Sequence, residues 1–97
     1  MKQYTTPEQT ARLIELGFEK PKSIVGHDGY WGYDYAYSIG ELISLCPRRI
    51  GDWDLSISCD YAYERWICHL NPENQYGVAT ELVDALFNLL IKIKEEL

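Results

Sequence analysis

Trp53-Asp54-Leu55-Ser56-Ile57-Ser58-Cys59-Asp60, Tyr61-Ala62-Tyr63-Glu64 and Arg65-Trp66-Ile67-Cys68-His69-Leu70 form the continuous stretch from which the fold is read. Apolar and polar residues alternate with period two on both flanks of the four-residue loop, the pattern of strands with one buried face. Pairing Asp60 with Arg65 sets Cys59 opposite Trp66, Ile57 opposite Cys68 and Leu55 opposite Leu70, all on one side. The other side then pairs Ser58 with Ile67 and Ser56 with His69, so Ile67 is the single exception to the sorting. A slip of one residue would turn every apolar group outward, which fixes the register.

Downstream, Asn71-Pro72-Glu73 marks a turn, and Gly77 weakens any helix drawn through it. From Val78 the spacing predicts a helix with Ala79, Leu82, Val83, Leu86, Leu89, Leu90 and Ile93 on its apolar face. Phe87 and Ile91 widen that arc to about 200° at 100° per residue. Such a helix is either covered on two sides within the domain or part of an oligomer interface. Val83, Phe87 and Ile91 are the residues assigned to that interface.

Upstream, Thr6-Pro7-Glu8-Gln9 supplies an N-cap hydroxyl, a proline at the first helical position and a glutamine to close a capping box. Leu16-Gly17-Phe18 then ends the helix in a Schellman turn, giving a helix over 7–16. Ser38-Ile39-Gly40-Glu41 is a second capping box, opening a short helix over about 39–46 that Pro47 stops. Between them, Ser23-Ile24-Val25 reads as a short strand. Trp31, Tyr33, Tyr35 and Tyr37 alternate with Gly32, Asp34 and Ala36, an aromatic strand face expected to pack against a helix. The composition of residues 22–38 also suits a structured loop. The expected architecture is α+β, one domain over 1–97. A three-stranded, mostly antiparallel sheet is packed by the long C-terminal helix, with the two shorter helices alongside.

The capping segments carry a further signal. Thr6-Pro7-Glu8-Gln9 with Leu16-Gly17, Ser38-Ile39-Gly40-Glu41-Leu42-Ile43 running to Leu45-Cys46-Pro47, and Glu81-Leu82-Val83-Asp84-Ala85 together resemble a group of small uncharacterised proteins encoded by prophages and mobile elements of gut Bacteroidales. Where that group has an aliphatic residue before the proline, this chain has Cys46. The shared positions are caps and core residues, so the resemblance implies no catalytic or ligand-binding residue.

The whole chain is 97 residues with a net charge of −6. The first 22 residues carry +1 and residues 23–91 carry −7, an acidic centre that opposes direct binding to nucleic acid phosphates or to an anionic membrane. The N-terminus has no apolar segment behind Lys2, no stretch approaches eighteen apolar residues, and the three cysteines form no Cys-x-x-Cys. The chain is therefore read as cytoplasmic, with reduced thiols.

Few residues suggest chemistry. His27, Cys46, Cys59, Cys68 and His69 are metal-ligand types, but adjacent Cys68 and His69 point to opposite sides of one strand. Ser56, His69 and Asp54 share the outer sheet side, yet that side is flat and offers no oxyanion donor. Gly26, Gly29 and Gly32 are not followed by the helix start a phosphate loop needs. The chain is thus expected to be non-enzymatic, without metal or cofactor.

What departs from average is the aromatic set: eight Tyr and three Trp against two Phe. Tyr30, Trp31, Tyr33, Tyr61, Tyr63 and Tyr76 sit in or beside loops and form the candidate interaction surface, for a protein partner or a second copy as a homodimer. Two other readings stand beside it. The acidic row Asp52, Asp54 and Asp60 suits a DNA-imitating binder of a host nucleic-acid-binding protein. The Tyr/Trp face suits a small-ligand or glycan binder with a concave aromatic pocket.

Overall fold

The structure, a computed structural model, describes residues 2–26, 33–46, 54–71 and 75–96. Helix α1 spans Pro7–Glu15, strands β1 and β2 span Ser23–Gly26 and Tyr33–Ala36, and helix α2 spans Ile39–Leu45. Strands β3, β4 and β5 follow at Asp54–Asp60, Arg65–Asn71 and Gln75–Ala79, and helix α3 closes the order at Leu82–Glu96. The fold is α+β. An antiparallel sheet runs in the order β3-β4-β5, with α3 packed on it, and β1 and β2 form a separate antiparallel pair.

The β3–β4 hairpin has the register read from the sequence, with Asp60 opposite Arg65, Ile57 opposite Cys68 and Leu55 opposite Leu70. The third strand is the departure. Residues 75–79 form β5, with Gly77 opposite Cys68 and Tyr76 opposite His69, and the C-terminal helix begins at Leu82 rather than Val78. The reason lies in what β5 turns inward. Its core-facing residues are Gln75, Gly77 and Ala79, while Tyr76 and Val78 face out and are exposed. A strand with its larger apolar groups outside gives no inward hydrophobic period to read.

Gly77 shows why the inner side must be small. A Cβ placed there would lie 1.9 Å from the Ala85 carbonyl oxygen, 2.6 Å from the Leu89 nitrogen and 2.8 Å from Leu89 Cβ. Strand and helix backbones touch at this point, and only glycine permits it. Asn88 reinforces the contact by donating its side-chain amide to the Val78 carbonyl at 3.2 Å.

Around this contact the core gathers Cys68 and Leu70 of β4, Leu42 of α2, Leu13 of α1 and the α3 residues Val83, Leu86, Leu89, Leu90 and Ile93, with Tyr37 among them. Both α2 and the sheet pack against α3, so its wide arc is covered from within the chain. That removes Val83 from the expected oligomer interface, because it is fully buried. Phe87 and Ile91 are half-buried at the rim of the same core.

Both capping boxes form as read. Thr6 Oγ1 accepts from the Gln9 amide and Gln9 Oε1 from the Thr6 amide; Ser38 and Glu41 reciprocate in the same way. Phe18 N donates to Leu13 O and Gly17 N to Ile14 O, completing the Schellman turn with Gly17 at φ +95°. The N-terminal stretch is stitched to the interior. Thr5 N donates to Tyr37 O and Tyr37 N to Thr5 Oγ1, both at 3.0 Å, and the Thr5 and Thr10 hydroxyls meet at 2.7 Å. Lys2 Nζ and Gln9 Nε2 both donate to Asp84 Oδ1, at 2.7 and 2.8 Å, tying the start of α1 to the start of α3.

The expected aromatic face of residues 31–37 is not a single face. Trp31 lies outside the described residues, as does Tyr30. Tyr35 is 59% exposed opposite the exposed Ile24, whereas Ala36 and Tyr37 are both buried. Alternation breaks because β2 ends at Ala36 and the chain turns to pair Ser38 with Tyr4. Tyr37 then enters the core with its hydroxyl donating to the Glu19 carbonyl at 2.6 Å.

Two glycine substitutions separate contact from conformation. Gly77→Ala must push β5 off α3 and is expected to cost about 3 kcal/mol or more. Gly17→Ala meets no atom within 4 Å, so only its left-handed backbone is strained, at about 1 kcal/mol. Urea midpoints of the two variants against the parent check the ordering.

Candidate functional site

The surface that stands out is the side of the β3-β4-β5 sheet away from α3, together with the hairpin tip. The register brings Ser56, His69 and Tyr76 into one row across the three strands and Ser58, Ile67 and Val78 into the next. Among the described residues, no helix packs on this side. The His69 and Tyr76 rings stack nearly parallel, with centroids 4.2 Å apart and planes 4° from coplanar. This cross-strand pair makes a flat ring platform, with Tyr76 43% exposed.

The hairpin tip carries further exposed rings. Asp60 Oδ1 accepts from the Ala62 amide at 3.2 Å, and Glu64 takes φ 49°, so the four loop residues turn tightly and direct their side chains outward. Tyr61 is 88% exposed and Tyr63 70%. The Arg65 guanidinium lies over the Tyr63 ring at 4.8 Å and also approaches Asp60 Oδ2 at 3.5 Å. This sandwich holds Tyr63 in an orientation that a lone surface tyrosine would not keep.

Of the candidate surface, Tyr61 and Tyr63 lie at the hairpin tip, whereas Tyr76 lies on the outer side of the sheet opposite His69, four positions along β4 from Arg65. Tyr33 opens β2 in the other sheet. His69 was read from the sequence as part of a polar outer row. Its aromatic pairing depends on residues 75–79 forming a strand that sets Tyr76 opposite it.

The acidic row of Asp52, Asp54 and Asp60 lies only partly within the described residues. Asp52 lies outside them, and Asp60 shares its charge with Arg65. Ser56 and His69 stand opposite one another as read, on a flat side. No group of three His, Cys, Asp or Glu among the described residues is placed to hold a metal ion. A shallow groove of about 180 Å³ lies elsewhere, beside Glu19, Lys20, Lys22, Tyr37 and Glu41. Tyr37 is the sole aromatic among the described residues that line it. The open aromatic concavity a glycan site needs is therefore not found there.

No protein-family model, curated protein or solved structure matches this chain. The site is therefore read from its own chemistry. No helix among the described residues is long and apolar enough to cross a membrane.

The ionisable groups away from the platform serve the fold. Desolvation pushes the Glu41 carboxyl up, but donation from the Lys22 amide, the Ser23 hydroxyl and Ser38 outweighs it and holds the pKa below the ordinary value. Asp84 behaves alike: burial raises it, and Lys2 and Gln9 bring it down further. Tyr37 shifts upward through burial and then through the nearby Glu41 and Glu19 charges. Burial, with Cys46 nearby, pushes the Cys68 thiol up to about 12.

Lowered carboxylate values stabilise the fold above the unfolded pKa, and that contribution disappears as pH falls through the folded values. Urea midpoints should therefore fall below about pH 4.5. Glu41→Gln, which keeps the capping-box geometry, should lose less on acidification than the parent; an equal loss would remove Glu41 from the account. Thiol labelling at pH 8 should modify the half-buried Cys59 first and leave the buried Cys46 and Cys68 protected until unfolding. Mass spectrometry of the labelled peptides reads that order directly.

Proposed function

We propose that this chain is a small non-enzymatic protein-interaction domain of the cytoplasm, which binds a protein partner through the sheet platform and hairpin tip. The observation that carries this reading is the pair of exposed, held rings, Tyr76 stacked on His69 on the uncovered side of the sheet and Tyr63 under Arg65 at the hairpin tip beside exposed Tyr61. Tyr, with an adjacent Arg, supplies contact area at low entropic cost and dominates binding hot spots. Stacking and the cation–ring contact hold two of these rings in place before binding, which lowers the cost of ordering them.

The net charge of −6 suits a partner surface that is basic, and it disfavours direct contact with nucleic acid. A second copy as homodimer partner would bring two acidic surfaces together, so a different protein is the better occupant. The resemblance of the capping segments to phage-borne proteins of gut Bacteroidales sets where to look for it.

The test is affinity capture from a nuclease-treated Bacteroidales lysate, comparing the parent with a Tyr61→Ser/Tyr63→Ser/Tyr76→Ser variant. All three positions are exposed, so the variant should fold and show an unchanged circular dichroism spectrum. A specific partner should be captured by the parent and lost by about tenfold or more in the variant. Equal capture by both proteins would contradict the reading.

A further inference from the structure

The two edges of the three-stranded sheet differ. On the β5 edge, the Val78 carbonyl is capped by Asn88 and the strand is clamped under α3. On the β3 edge, no strand among the described residues pairs with Asp54–Asp60 on the side away from β4. Every second amide and carbonyl of an antiparallel edge strand faces away from its neighbour, and such a row is a template for another strand. Between its two terminal aspartates the β3 edge has few of the usual protections. Residues 54–60 hold no Lys and no Pro, all seven pair with β4 without a bulge, and Ile57 is 36% exposed on the helix side.

From this edge we infer a binding mode. β3 accepts an extended segment of the partner as a fourth strand, one with apolar residues at alternate positions and a Lys or Arg at each end. The inference rests on the interaction reading above and names how that partner is held.

Charge selects the occupant. The strand reads Asp-Leu-Ser-Ile-Ser-Cys-Asp, nearly the same in both directions. A second copy pairing antiparallel about Ile57 would set Asp54 against Asp60 at both ends, and Arg65, 3.5 Å from its own Asp60, offsets only one of the two negative charges there, so that like charges remain opposite and are destabilising. A basic-ended segment reverses that sign at both ends. Its alternate residues fall beside half-buried Leu55 and Cys59 and the exposed Ile57, all on the helix side of the sheet. The remaining positions fall beside the exposed Ser56 and Ser58, where Thr or Ser fits. Adjacent Tyr61 and Tyr63 at the end of the same strand extend the contact to the hairpin tip.

The probe is the peptide Lys-Val-Thr-Val-Thr-Val-Lys, capped at both termini, against the same peptide with Glu at both ends. Amide hydrogen exchange of the full chain is followed by NMR. The expected result is new protection at alternate β3 amides with the Lys-ended peptide, about tenfold tighter binding than the Glu-ended one, and a smaller difference at high salt. Ile57→Lys places a charge at the edge with its ammonium free to reach water, and should abolish the protection. The comparison of the two peptides stands on the parent alone should that variant unfold.

No added protection in β3 at millimolar peptide, or equal binding of the two peptides, overturns the inference. That result leaves the capture experiment with the tyrosine variant unaffected, because those tyrosines lie on the outer side and the tip. Loss of capture dependence on the tyrosines would instead overturn the interaction reading and leave strand addition to be judged by its own protection data.

Discussion

One backbone contact organises this molecule: Gly77 of β5 against Ala85 and Leu89 of α3. Where the strand and helix backbones touch, the inward side of β5 carries no side chain at all, and Gln75 and Ala79 flank the glycine. The bulk of the core comes instead from β4 and from α3, where Cys68, Leu70, Leu86, Leu89 and Leu90 are fully buried. The same closeness fixes what faces outward. With Gly77 on its inner side, β5 places Tyr76 and Val78 on the open side, and Tyr76 meets His69 across the strand pair. The platform read as the binding surface is thus a by-product of how tightly the helix sits. The contact also leaves the sheet asymmetric, with one edge clamped by α3 and capped by Asn88, and the other ending at β3.

Those parts of the fold that depend on neighbours in sequence were legible in advance. Thr6 with Gln9 and Ser38 with Glu41 are local devices, each closing two hydrogen bonds within four residues. The hairpin was legible because Leu55, Ile57, Cys59, Trp66, Cys68 and Leu70 all fall on one side in only one register. Residues that answer to distant partners were not. β5 has no inward apolar period, because its packing requirement is the absence of a side chain at Gly77, and an isolated glycine reads equally as a helix breaker. Tyr35 and Tyr37 share strand parity, yet one is exposed and the other buried, since the pairing of Tyr4 with Ser38 changes the chain's course between them.

The site followed the same division. Tyr61 and Tyr63 were marked for the surface by lying in a four-residue loop between two strands, a local feature. The roles of His69 and Arg65 came from contacts across the loop and across strands: a ring stack with Tyr76 and a cation over Tyr63. The apolar width of α3 leaves two readings open in the sequence, cover from two sides within the domain or an oligomer interface. That cover comes from the sheet and α2, which places Val83 in the interior.

The most direct test of this account is a NOESY spectrum of the isotopically labelled protein, read at Gly77. Strand β5 clamped beneath α3 predicts cross-peaks from the Gly77 Hα protons to the Leu89 amide, with strong sequential Hα–amide peaks through residues 75–79. Strong amide–amide peaks running from Gly77 into Val78 and Ala79, with no contact to Leu89, would mean that the helix begins before Leu82. The platform, the clamped edge and the open β3 edge would then lose their common basis.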